Sequence, residues 1–186
     1  MALLGTKADF SQNDARWAGN KLGFSSWETI GRYGCGMAAA ANIIQAQGYD
    51  MTPADVNNAL RSHGLFVRDY YGEVADFSGY AAFGLISPHT RFVEQKNWPA
   101  EIVAPASYFD VRSSTNTEIV AMLDYHPETA GMQSHFVRII GLNEAKNDVE
   151  IVDSWDGKRK WLSTIASKGG KKPFQIIWSA GKYQKV

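Results

Sequence analysis

Residues 34–48, Gly-Cys-Gly-Met-Ala-Ala-Ala-Ala-Asn-Ile-Ile-Gln-Ala-Gln-Gly, constrain the fold of this chain more than any other stretch. Alanine is the strongest helix former, and a helix that is apolar on all sides has to be covered by other elements. The run therefore predicts a buried helix of about three turns that starts near Cys35, with Gly48 as a natural C-terminal stop. Thr52-Pro53-Ala54-Asp55 follows as an N-cap, a Pro at the first helical position and an acid three residues after the cap. It opens a second helix that runs to about Leu60–Ser62 and is closed by Gly64.

The rest of the chain reads differently. Residues 65–90 mix aromatics and glycines without a period and suggest a loop with short strand or helix pieces. Asn116-Thr117-Glu118-Ile119-Val120-Ala121-Met122-Leu123 predicts a third helix that ends at Pro127, because Ile119, Val120, Met122 and Leu123 can share a core-facing side. Beyond it, GMQSHFVRIIG, DVEIVDSW, KRKWLS and FQIIWS read as strands separated by Asn-Glu-Ala-Lys-Asn, Asp-Gly and Gly169-Gly170 turn signals. Helices followed by an antiparallel sheet make an α+β fold, with the cleft between the two lobes as the default place for a site. The 186 residues suit one domain over 1–186.

No apolar run approaches the ~18 residues of a membrane span, and no segment has the composition of disorder. The N-terminus, MALLGTKADFSQND, lacks a basic region followed by a sustained apolar one, so a secretory signal is not expected and a cytoplasmic location is. The zero net charge hides an asymmetry. Residues 1–156 hold 11 basic and all 19 acidic side chains, whereas residues 157–186 hold 8 basic and no acidic ones. Such a basic end can attract an anionic polymer, or can be a set of solvated lysines that protect strand edges. Nucleic acid is not an expected partner, because no aromatic-basic repeat accompanies the charge.

A single cysteine makes neither an intramolecular disulfide nor a multi-thiolate metal site, so its chemistry is that of a thiol. Cys35 opens a helix, where unpaired N–H groups and the positive end of the dipole stabilise a thiolate. Its flanking glycines allow a tight turn and the close approach of a substrate carbonyl to the Cys35 N–H. A buried structural cysteine is the competing reading. A nucleophile needs a base, and His135 opens the apolar run 136–140. Asp153 ends the run 149–152, and the two runs are joined by the short turn 143–148. If they pair as a hairpin, His135 and Asp153 become neighbours, as a base and its orienting acid must be. Alone, His135 reads more readily as a hydrogen-bonded surface histidine and Asp153 as a turn former, and it is their joint placement that points to chemistry. His63, His89 and His126 show no metal-ligand spacing, and no metal or cofactor is assigned. Tyr70, Tyr71, Phe77, Tyr80 and Phe83 either line a groove or form satellite core.

Four ordered motifs resemble a known family. They are Phe10-Ser11-Gln12-Asn13-Asp14-Ala15-Arg16-Trp17, Thr29-Ile30-Gly31-Arg32-Tyr33-Gly34-Cys35-Gly36, Ser134-His135-Phe136-Val137-Arg138-Ile139-Ile140-Gly141 and Ile151-Val152-Asp153-Ser154-Trp155-Asp156-Gly157. In this order they resemble the papain-like cysteine peptidases related to the bacteriocin-leader (double-glycine) processing peptidases, in particular their stand-alone relatives. The resemblance implies a papain-like fold with Gln12 as oxyanion donor, Cys35 as nucleophile, His135 as general base and acid, and Asp153 as orienter. It departs from the family at Ser154, where a proline is common. No nucleotide-binding or membrane-spanning portion accompanies the motifs.

The expected activity is that of a cysteine hydrolase on peptide or related amide bonds. A phage or bacterial enzyme acting on cell-wall peptides is a specialisation that suits the size and basic end, with delivery to the wall by another route. Two alternatives have the same fold: an inactive module that only holds a peptide or wall fragment, and an acyl (peptidyl) transferase.

Overall fold

The computed structural model describes residues 9–99, 102–111, 116–131 and 133–186. Residues 1–8, read above for a signal peptide, and Met132 in the first expected strand lie outside them. The Ala-rich run forms helix α2 (Cys35–Ala46), entered from the short helix α1 (Ile30–Tyr33) through Gly34. Residues 36–44 are all buried, so the helix is enclosed on every side, as a run of small side chains allows. It ends before Gly48, whose φ of 93° lies in the left-handed region. Helix α3 (Pro53–Ser62) starts on a reciprocal capping box. The Thr52 Oγ1 accepts from the Asp55 N–H at 3.2 Å, and the Asp55 carboxylate accepts from the Thr52 N–H at 2.9 Å.

Residues 65–90 resolve into a two-stranded hairpin, β1 (Phe66–Arg68) with β2 (Val74–Phe77), and the short helix α4 (Ala81–Leu85). The remaining strands are β3 (Thr90–Asn97), β4 (Thr117–Asp124), β5 (Ser134–Asn143), β6 (Asp148–Asp153), β7 (Arg159–Trp161) and β8 (Ile177–Lys185). They form one antiparallel sheet in the order β3-β8-β4-β5-β6-β7. Helix α5 (Ser163–Ala166) follows β7. The chain is therefore α+β, as expected.

Two expectations are corrected. The segment 116–123 is not a helix but the strand β4, bonded to β8 on one side and β5 on the other. The sheet is covered on both faces: Val120 and Tyr183 join the core around α2, while Ile119, Ala121, Leu123, Val137 and Ile151 join a second core on the other face. A strand buried on both sides loses its alternation, and its apolar residues then mimic a helical period. The second correction is at FQIIWS. Pro173–Gln175 is a 3₁₀ turn, and the strand begins at Ile177 and runs on to Lys185 in the interior of the sheet. Among the described residues no helix is long and apolar enough to cross a membrane.

Candidate active site

The start of α2 faces the ends of β5 and β6 across one cavity of about 960 Å³, whose lining includes Gln12, Cys35, Tyr125, His135, Phe136 and Trp155. Cys35 is partly exposed there. Its sulfur accepts hydrogen bonds from the N–H groups of Gly36 and Phe136 and interacts with the His135 ring. Burial pushes the thiol up, but the hydrogen bond and charge of His135 together with the two N–H groups bring it below its ordinary value. The glycines beside it serve packing. A Cβ on Gly36 would lie 2.7 Å from the Phe77 ring, and one on Gly34 would lie 2.6 Å from the Ile30 carbonyl oxygen.

The hairpin of β5 and β6 sets the next pair. Val137 is paired with Asp153, which makes His135 the diagonal neighbour of Asp153 on the same face. The Nε2 of His135 lies 2.7 Å from the Asp153 Oδ1, in a buried setting, and this leaves Nδ1 for Cys35. Burial works against the imidazolium, yet the carboxylate of Asp153 and the Cys35 thiolate outweigh it and raise His135 to about 9. The two shifts run in the directions that favour a thiolate beside an imidazolium.

Asp153 is fully buried and accepts from four donors. Besides His135, the Trp155 N–H reaches Oδ1 at 2.9 Å, while the Tyr125 hydroxyl and the Lys160 ammonium reach Oδ2 at 2.7 and 2.6 Å. Burial alone would raise this carboxyl, but His135, Lys160 and Tyr125 hold it well below the usual carboxylate range. Tyr125 also packs its ring on His135 at 4.4 Å between centroids. Lys160 is shared with Asp156 at 3.1 Å.

Gln12 is brought to the same cavity by a segment fastened at several points. Asn42 on α2 accepts from the Phe10 N–H at 2.7 Å and donates to the Phe10 carbonyl at 3.1 Å. The Gln12 N–H donates to the Ser154 carbonyl at 2.8 Å, and Ser11 and Asn13 donate to the Trp155 carbonyl at 2.7 and 2.9 Å. Trp17 closes the turn by donating to the Ser11 carbonyl at 2.7 Å. The buried Gln12 side chain donates one amide proton to the Gly31 carbonyl at 2.9 Å, which fixes the amide and leaves its second proton for another acceptor.

All four residues singled out from the sequence thus line one cavity or, for Asp153, lie directly behind its wall. Sequence reasoning missed Tyr125 and Lys160. Tyr125 follows the segment mistaken for a helix, and Lys160 reads as one of a cluster of surface bases. The signal for Lys160 lay in the tight β6–β7 connection, where the Asp153 N–H bonds the Lys158 carbonyl at 2.9 Å and so turns the next strand back alongside Asp153. A sequence model described as "Peptidase_C39 like family" matches residues 10–186. No curated protein matches the chain.

Proposed function

The chain belongs to the Peptidase_C39 like family, a papain-like family of cysteine peptidases, and on that premise we propose that it hydrolyses peptide bonds with Cys35, His135, Asp153 and Gln12 as its machinery. The observation that supports this most is the unbroken line from the Cys35 sulfur through His135 to a buried carboxylate held by three further donors.

The Cys35 thiolate attacks the scissile carbonyl carbon and a C–S bond forms. The resulting oxyanion accepts from the unused amide proton of Gln12 and from the Cys35 N–H. His135 gives its Nδ1 proton to the amine as the C–N bond breaks. Water then attacks the thioester, His135 takes one proton from it, and the C–S bond breaks to release the carboxylic acid, which ionises in solvent, and to restore the thiolate–imidazolium pair. Asp153 holds the ring with Nδ1 toward sulfur and stabilises its charge.

Cell-wall peptides are the substrate class we favour, with the basic C-terminal segment as an aid to residence on anionic wall polymer. Its charge is partly spent within the fold: Arg159 pairs with Asp9 at 3.2 Å, Lys160 with Asp153, Lys171 with Asp124 at 3.8 Å and Lys182 with Glu94 at 3.7 Å. The test is release of peptide fragments from purified walls and loss of wall turbidity by the wild type and by Cys35→Ala. Activity in the wild type that Cys35→Ala lacks is the expected result, and equal activity in both would remove the proposal. Adding an amine nucleophile to the same reaction reveals acyl transfer through a new amide product.

A further inference from the structure

The cavity that holds Cys35 has a second charged region, formed by Glu28, Asp69 and Asp76. Glu28 is 1% exposed, and its Oε2 has no hydrogen-bond partner. It sits at the end of a loop closed by the Leu22 N–H to Glu28 carbonyl bond of 3.0 Å. The Asp69 carboxyl, on the β1–β2 turn, lies within hydrogen-bonding reach of it. The oxygens around them are already assigned. Asp69 Oδ1 accepts from the N–H groups of Tyr71 and Glu73 at 2.8 and 3.0 Å, and Glu73 Oε2 accepts from the Ser26 N–H at 2.8 Å.

A buried carboxylate with an unpartnered oxygen beside a second carboxyl is an incomplete arrangement. It is completed by a shared proton or by a cation. Burial first, and then Asp69 and Glu73, raise Glu28 to about 7, so near neutral pH its proton is readily exchanged for a bound cation. Two cations of the chain lie at this end of the cleft, and neither reaches the free Glu28 oxygen: Arg68 acts on Glu73 and Arg32 lines the same cavity. Arg68 donates to the Gly72 carbonyl, and Arg32 lies over the Tyr33 ring at 5.4 Å. Among the described residues no three His, Cys, Asp or Glu side chains are grouped as a metal site needs. The neighbouring wall is aromatic instead: Trp27, Tyr33 and Tyr71 meet edge to face at 5.4 to 6.3 Å, and Trp27 and Tyr71 are largely open to solvent. Carboxylates in a cavity that also holds exposed aromatic side chains suit an organic ammonium.

We propose that the Glu28–Asp69 end of the cleft binds a primary ammonium of the substrate, so that the chain selects peptides bearing an amine near the bond presented to Cys35. This rests on the peptidase reading only for the statement that the ammonium belongs to a peptide. Two sources share that chemistry, a diamino-acid side chain such as lysine and the peptide's own N-terminus.

Binding is measured by titration calorimetry on the full chain carrying Cys35→Ala, which separates it from turnover. The probes are alanine tetrapeptide amides with lysine or norleucine placed at each position in turn, each with a free or acetylated N-terminus. At one position lysine is expected to bind about tenfold more tightly than norleucine. If the N-terminus is the source, the free peptides gain that factor over the acetylated ones. Adding Glu28→Gln or Asp69→Asn brings the ratio close to 1. Asp69→Asn, on a turn, keeps the test open if Glu28→Gln fails to fold. Equal binding of amine-bearing and neutral probes, or a preference that survives both substitutions, overturns the proposal. Selective binding without hydrolysis by the Cys35 form would instead remove the peptidase reading and leave the ammonium site standing.

Discussion

Asp153 accepts from His135, Trp155, Tyr125 and Lys160 together, and the balance among these donors tunes the imidazolium. The ammonium of Lys160 draws on the same carboxylate as His135 and opposes the imidazolium charge, so removing it raises the histidine further. With His135 near 9, kcat/KM should fall on the alkaline side around that pH. In Lys160→Met that limb should move to higher pH, and a shift to lower pH in the rate profile would contradict the assignment of Asp153 to His135. Glu28 gives a pH dependence of stability instead of rate. Its folded-state value, about 7, lies above the ordinary glutamate value of 4.5. The native state therefore binds the extra proton between those limits, and stability is lost as pH rises through them. Glu28→Gln removes this slope: its Tm relative to the wild type should rise between pH 5 and pH 8. A parallel pair of Tm curves would show that Glu28 is not perturbed.

At the scale of elements, the start of α2 is held by a ring as much as by its own residues. Phe77 fills the space a side chain at position 36 would need and packs on Phe83 at 4.6 Å and Phe136 at 5.1 Å. The Phe136 N–H in turn bonds the Cys35 sulfur. Gly36→Ala gains at most ~1 kcal/mol in helix propensity and loses ~1–3 kcal/mol to overpacking. Urea unfolding should show a net loss of stability, together with slower alkylation of Cys35; a stabilised variant would mean that the ring yields. The strands differ in how openly they announce themselves. The sequence of β5 and β6 shows its hairpin through a short turn, in which Asn147 takes the left-handed conformation at φ 49°. β4 conceals itself because both of its faces are covered. The edge strand β3, Thr-Arg-Phe-Val-Glu-Gln-Lys-Asn, is largely exposed, and its polar residues mask the pattern while guarding the edge.

For the molecule as a whole, the candidate site exists because a segment near the N-terminus is fastened both to the central helix and to the far end of the sheet. Asn42 is the fastening on the helix, with two hydrogen bonds to Phe10. Asn42→Ala leaves both Phe10 groups without that partner, at about 1–3 kcal/mol, and loosens Gln12. Peptide hydrolysis should fall further than the rate of Cys35 alkylation, since alkylation needs no oxyanion donor; an equal fall in both would place the damage in α2 itself. The buried helix from Cys35, the capped helix from Pro53 and the nearness of His135 to Asp153 were legible in the sequence, because propensity, capping and a short hairpin are local. Gln12 was legible only through its motif. The strand identity of β4, the hold of Tyr125 and Lys160 on Asp153, and the meeting of Glu28 with Asp69 were decided by tertiary structure alone. Except for Lys160, which a tight turn brings back seven residues after Asp153, each depends on segments far apart in the chain, whose contacts arise from the burial of both sheet faces and the closing of the cleft, and no local pattern encodes them.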